Sequence, residues 1–141
     1  MATFLFKTEP GEYAFDDLLR DRKTVWSGVT NNAALMHLRT ARPADPVLIY
    51  HTGAEKAVVG LAEILTMPYP DPARPAMNAK GEPAFPVVEI KPIKKAPHPV
   101  TLAALKSDPR FKAFALVTQG RLSIMPVPSD LAKLLRTQAG L

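Results

Sequence analysis

Trp26 begins the run Trp26, Ser27, Gly28, Val29, Thr30, Asn31, in which the chain's one indole is followed closely by a glycine and then by a good helix cap. An indole face offers a flat heteroaromatic ligand stacking worth about 1 to 3 kcal/mol per base, and Gly28 lets the backbone come close to such a ligand. Tryptophan is also highly buried on average, so the same residue reads equally as core. Three further runs carry polar chemistry. Lys7, Thr8, Glu9 and Pro10 close a first apolar stretch; alternation along a strand puts Lys7 and Glu9 on one face and Thr8 on the other. A carboxylate there accepts from an exocyclic amino group, as on cytosine N4, or forms with Lys7 a surface ion pair of about 0 to 1 kcal/mol. Tyr50, His51, Thr52 and Gly53 end a second apolar stretch, where a lone histidine reads as a hydrogen-bonding residue rather than a catalyst. Arg121 stands just ahead of Leu122, Ser123, Ile124, Met125 and Pro126, placed to meet a phosphate or a base edge, or to end a strand with a charge.

Other chemistries lack their residues. The chain has no cysteine, which excludes disulfides, iron–sulfur clusters, thiolate zinc and a thiol nucleophile. There is no glycine-rich phosphate loop, no GxSxG elbow and no HExxH, and His37, His51 and His98 are far apart in the chain, without metal-ligand spacing. No metal and no cofactor are therefore expected. Eighteen basic against thirteen acidic residues give a net charge of +5, which favours an anionic partner such as nucleic acid. The cations fall in local groups, among them Arg39 with Arg42, and Lys91, Lys94 and Lys95 with His98. Arg39, Lys94, Lys95 and Arg121 are the candidates for contacts to a nucleic-acid backbone.

These runs must be positioned by one domain, since 141 residues fall in the commonest single-domain range. Thr3 to Lys7 reads as a strand, and Phe15, Leu18 and Leu19 as the apolar face of a short helix. A second helix starts at Asn31 and Asn32, buries Leu35 and Leu38, and ends before Pro43. Val47–His51 and Val58–Thr66 read as a hairpin of buried strands, with Gly60 at a bulge. The proline-dense stretch from Pro68 to about Pro83 reads as an extended surface loop. Val88 to Lys91 alternates apolar and charged residues, a strand at an edge or bulge beside Pro92. A helical turn near Thr101–Lys106, a last strand over Leu122–Val127 and a helix capped by Ser129 and stopped near Gly140 complete the chain. The elements do not alternate as a doubly wound sheet requires. The expected fold class is α+β, a mixed β-barrel of about five to six strands with short peripheral helices. No window approaches the ~20 apolar residues of a membrane span, and Met1 to Lys7 is not a leader, so a soluble, cytoplasmic protein without membrane contact is expected.

The order and spacing of the runs resemble the EVE-domain family across about Phe4 to Leu135. The resemblance rests on Lys7–Pro10, Trp26–Asn31, Val47–Thr52, Val59 and Gly60, Tyr69–Pro72, and Arg121–Val127. It implies a PUA-like barrel, related in architecture to modules that bind RNA or modified bases, and a reader of a modified nucleobase with modified cytosine favoured. The implied pocket comprises Lys7, Thr8, Glu9, Trp26, Ser27, Gly28, Val29, Asn31, Tyr50, His51 and Thr52. Two positions depart from many relatives: Thr30 stands where they have Arg, and Ala14 where they have a Ser cap.

On this reading a base lifted from a strand stacks against Trp26 and Tyr50, while Glu9, Asn31 and Thr52 meet its polar edge. The expected partner is nucleic acid, DNA or RNA, carrying a modified base, bound by a monomer with no catalytic residues. Two alternatives stand beside it. A PUA-like amidohydrolase acting on modified cytidine would use a Lys, a Thr and a Glu, types that Lys7, Thr8 and Glu9 supply. The other alternative is a protein interaction module without a base ligand.

Overall fold

The computed structural model describes residues 1–141. Its first strand, β1 (Thr3–Thr8), places three consecutive buried residues, Phe4, Leu5 and Phe6, where both faces are covered. Helix α1 (Phe15–Asp21) follows, then a three-residue strand, β2 (Thr24–Trp26), and helix α2 (Asn32–Leu38). Strands β3 (Pro46–His51) and β4 (Ala57–Ile64) form the expected hairpin, followed by a two-residue β5 (Tyr69–Pro70) and the sixteen-residue β6 (Pro86–Thr101). Helix α3 (Leu102–Lys106), a 3-10 turn (Pro109–Phe111), helix α4 (Ala115–Thr118), strand β7 (Ile124–Val127) and helix α5 (Ser129–Ala139) complete it.

The strand order is β2-β6-β4-β3-β1-β7, with β5 beside β6. Only the β1–β3 pair is parallel. Strands β1 and β2 are four places apart in that order, a separation of about 19 Å in a flat sheet at ~4.8 Å per strand. Yet the Phe6 ring on β1 lies 5.4 Å, centroid to centroid, from Trp26 on β2. The sheet is therefore curled strongly upon itself into a half-barrel that leaves β2 and β7 as its edges. The interior is one apolar core, to which α1, α2 and α5 contribute Phe15, Leu18, Leu38 and Leu135.

Bulges give β6 its length despite its prolines. Pairing slips between Leu61 and Ala62, opposite Lys94 and Pro92, and again between Val58 and Gly60, opposite the segment that carries Pro97 and Pro99. Proline is tolerated at bulges because no ladder hydrogen bond is demanded there. Gly60 has a second task. A Cβ at that position would sit 2.4 Å from the Phe15 ring, so its bare backbone is what lets α1 pack onto β4.

Several expectations are corrected here. The strand expected at Val88–Lys91 runs on to Thr101, because bulges absorb Pro92, Pro97 and Pro99. The Pro68–Pro83 stretch holds β5 and two isolated bridges, Asp71 with Arg74 and Met77 with Pro83. Strand β2 carries no periodicity that three residues could display. Ser129 is the first residue of α5 rather than its cap, and Pro128 stands at the cap without a side-chain bond. Leu19 is turned out of the core, 40% exposed. Ala14 caps α1 without a side-chain acceptor, but its amide donates to the Asp17 carboxylate at 2.8 Å.

Candidate functional site

Where β1 and β2 approach each other, the half-barrel leaves an open cleft of about 520 Å³, within the range of small-ligand sites. Trp26, the last residue of β2, forms part of its wall. Phe6 packs against the indole at a 43° tilt and Tyr13 meets it nearly edge-on, with centroids 6.5 Å apart. Aromatic pairs of this kind add about 0.5 to 1.5 kcal/mol beyond area burial, so the ring is held while the part bordering the cleft stays open. Gly28 turns the chain at φ 80°, a left-handed conformation that other residues resist. Asn31 then caps α2, its side chain accepting from the Ala34 amide at 3.0 Å.

The opposite wall comes from the end of β1. Lys7, Thr8 and Glu9 all border the cleft, since the chain leaves the strand after Thr8 and turns through Glu9, whose carbonyl accepts from the amides of Glu12 and Tyr13. Each side chain has a different partner. The Lys7 ammonium donates to the Gly120 carbonyl at 3.0 Å and lies 5.8 Å from the centre of the Tyr50 ring; partial burial lowers its pKa below the ordinary lysine range. The Thr8 hydroxyl donates to the Tyr13 carbonyl at 2.6 Å. The Glu9 carboxylate accepts from the Thr52 hydroxyl at 3.1 Å and from the Gly11 amide at 3.2 Å. Arg121 and Ser123, from the segment entering β7, close the rim, and the Ser123 carbonyl accepts from the Lys7 amide at 2.9 Å.

The structure thus brings Lys7, Thr8, Glu9, Trp26, Ser27, Gly28, Val29 and Asn31 to one cleft, and Arg121 with them. Tyr50, His51 and Thr52 do not line it. Tyr50 is 3% exposed in the core beneath Lys7, and burial raises the pKa of its hydroxyl. His51 is also buried: its Nε2 accepts from the Phe15 amide at 3.0 Å, so its Nδ1 carries the hydrogen and donates to Glu55 at 2.6 Å. It anchors the start of α1. Thr52 stands behind Glu9 and orients it. The parallel β1–β3 pairing explains this, because Lys7 and Thr8 lie opposite Tyr50 and His51 and only one of two neighbouring strand ends fronts the opening.

Of the four expected backbone cations only Arg121 is at the cleft; the other three are not gathered there. Lys94 donates to the Gly140 carbonyl at 2.9 Å, and Lys95 pairs with Asp16 at 2.8 Å. Arg39 fastens the carbonyls of Pro83 and Ala84 at 2.9 and 3.1 Å. Sequence reasoning missed Glu12, Tyr13, Thr24 and Val25 in the cleft wall. Tyr13, just ahead of α1, gave only the weak signal of an aromatic among turn residues. No group of three or more His, Asp or Glu side chains is arranged to hold a metal ion, and no helix is long and apolar enough to cross a membrane.

Comparison with known proteins places this geometry. Residues 2–138 match the EVE domain. The Rpa0253 protein of Rhodopseudomonas palustris is 37% identical and superposes with a TM-score of 0.88 over 99% of this chain and 94% of that one. Human thymocyte nuclear protein 1 is 26% identical over 90% of this chain and 69% of its own length. Its structure in complex with 5-methylcytosine-containing DNA superposes with a TM-score of 0.85 at 23% identity, covering 98% of each chain. An ASCH protein of Zymomonas mobilis, 12% identical, shares the fold more loosely, with a TM-score of 0.56 over 96% of this chain and 94% of that one.

Proposed function

This chain belongs to the EVE-domain family, and from that premise we propose that its cleft receives a single unstacked nucleobase, a 5-methylated cytosine in DNA being the ligand it fits best. The observation that carries the proposal is the wall itself: an indole braced by Phe6 and Tyr13 faces a cleft whose other side presents Glu9, Lys7 and Arg121. A base entering the cleft stacks on Trp26. The Glu9 carboxylate, fixed by Thr52 and Gly11, accepts from the exocyclic amino group, the group that distinguishes cytosine from thymine. Val29 supplies the kind of apolar contact a C5-methyl group takes. Lys7 and Arg121 draw the flanking phosphates to the rim. The complex of the human relative with 5-methylcytosine-containing DNA supports this choice of base.

Lys7, Thr8 and Glu9 have no hydrogen bonds to one another, and so they do not form a linked nucleophile and base. This favours the binding reading of the cleft over the hydrolytic one. Extracting a base from a duplex costs a few kcal/mol, so single strands should bind more tightly than duplexes of the same sequence. Fluorescence anisotropy on 12-nucleotide strands that differ only at one central position tests the reading. The methylated strand should bind more tightly than the cytosine strand, and both more tightly than a strand with an abasic centre. Equal affinities for all three would overturn it.

A further inference from the structure

The cations of this chain divide into two populations. Arg20, Lys23, Arg74, Lys91, Lys95 and Arg110 are spent in ion pairs with nearby carboxylates. Arg39, Arg42 and Lys80 are among the twelve Lys and Arg that are not, and all three border a second groove, of about 680 Å³, between the end of α2 and the loop that carries Asn78 and Glu82. The guanidinium groups of Arg39 and Arg42 donate only to neutral carbonyls, those of Pro83 and Ala84 and those of Arg39 and Ala41, while the Asp45 carboxylate accepts from the Arg42 backbone amide at 2.9 Å. Such bonds fix the guanidinium groups without cancelling their charge. The Lys80 ammonium has no partner, and the one carboxylate at the groove, Glu82, accepts from the Asn78 side chain at 3.3 Å.

Helix α2 joins this groove to the base cleft. Its cap, Asn31, borders the cleft, while Met36 in its last turn and Arg39 and Thr40 just beyond it border the groove. From Asn31 to Arg39 is about 12 Å at 1.5 Å per residue. The helix carries no acidic residue, and Asn32, Ala33 and Met36 lie exposed along it, with Thr40 exposed just past its end. An anionic chain crossing that face meets no like charge. The loop on the far side is fastened at both ends, by Arg74 to the Val29 carbonyl at 3.4 Å and by Arg39 to Pro83 and Ala84, so the two sites are held in fixed relation.

We propose that a single nucleic-acid strand whose base occupies the Trp26 cleft continues along the exposed face of α2 and seats its phosphates against Arg42 and Lys80 in the second groove. This rests on the base-reading role of the cleft and adds to it a path and a polarity of contact: one site reads a base, the other reads only backbone. At ~3.4 Å per stacked nucleotide, the groove is reached about three to four nucleotides from the base.

The test uses the full chain and two single-stranded probes with a central 5-methylcytosine, a 12-mer that reaches the groove and a trinucleotide that does not. Each neutralised phosphate contributes about 0.7 to the slope of log affinity against log salt for single strands. Replacing both cations, Arg42→Gln with Lys80→Gln, should lower the 12-mer slope by about 1.4, so that wild type loses about sevenfold more affinity than the variant across a fourfold rise in salt. The trinucleotide slope should not change. Lys80→Gln alone, which removes no side-chain bond, should produce about half of the slope change, independently of any loosening at the end of α2. An unchanged 12-mer slope, or an equal change on the trinucleotide, would overturn the path. Failure of base reading registers elsewhere, as a wild-type protein that binds methylated, unmethylated and abasic 12-mers alike.

Discussion

Trp26→Ala separates a ligand-reading tryptophan from a structural one. The indole is only partly buried, with Phe6 and Tyr13 packed around it. Complete truncation of a fully buried Phe or Trp costs about 3 to 5 kcal/mol; for this largely buried side chain, packed against the core, about 2 to 4 kcal/mol of stability is expected to go. The stacking contribution is separate, about 1 to 3 kcal/mol per base, which is about a 5- to 150-fold rise in Kd. The variant should therefore melt earlier and also bind more weakly when assayed well below its melting temperature. Trp26→Phe retains a π-face and should recover part of the affinity.

Thermal unfolding and anisotropy titrations on the same preparations supply both numbers, with the binding assay run where each variant is folded. A Trp26→Ala protein that melts early yet holds the methylated 12-mer with wild-type affinity would refute the reasoning, because the indole would then brace Phe6 and Tyr13 and touch no ligand. Unchanged stability with weakened binding would show instead that the Phe6 contact contributes little to the fold.

Three other perturbations test the architecture around the cleft. Gly60→Ala drives a methyl group into the Phe15 ring and should destabilise by about 1 to 3 kcal/mol as overpacking does, read as a lower urea midpoint at constant slope. His51→Ala leaves the buried Phe15 amide without its acceptor, a loss of about 1 to 3 kcal/mol, and should leave the affinity of the folded protein for the 12-mer close to wild type. Because burial lowers the Lys7 pKa, its positive charge is lost at a lower pH than on an exposed lysine. Oligonucleotide affinity should therefore decline with rising pH before ordinary lysines titrate, and Lys7→Arg should move that decline upward.

Much of the framework was legible because its signals are local. The β3–β4 hairpin is announced by two buried apolar runs, α2 by Asn31 and by Leu35 and Leu38, and the C-terminal stop of α5 by Gly140. What escaped depends on pairing between distant segments. Strand β2 is three residues long and exists because Thr24, Val25 and Trp26 lie along Ile90, Glu89 and Val88. The extension of β6 through Pro92, Pro97 and Pro99 contradicts local propensity and is permitted by bulges that only the partner β4 defines.

The same distinction governs the site. Trp26 with its following loop, and Lys7 with Glu9, were legible as polar and aromatic groups at element ends, but an element end has two sides and sequence does not say which one fronts the opening. Tyr50, His51 and Thr52 are as polar as Lys7, Thr8 and Glu9 and lie on the neighbouring strand, with Tyr50 and His51 in direct register. What separates them is the turn at Glu9, fastened by the Thr8 hydroxyl to the Tyr13 carbonyl, which swings the end of β1 toward β2 while the end of β3 is covered by α1. His51 binds the first amide of α1, and Thr52 binds Glu9. The polar end of β3 thus positions the groups at the end of β1, which accounts for a buried histidine and a half-buried threonine beside a cleft they do not enter. Substitutions there should act on the fold, or on the orientation of Glu9, before they act on any ligand.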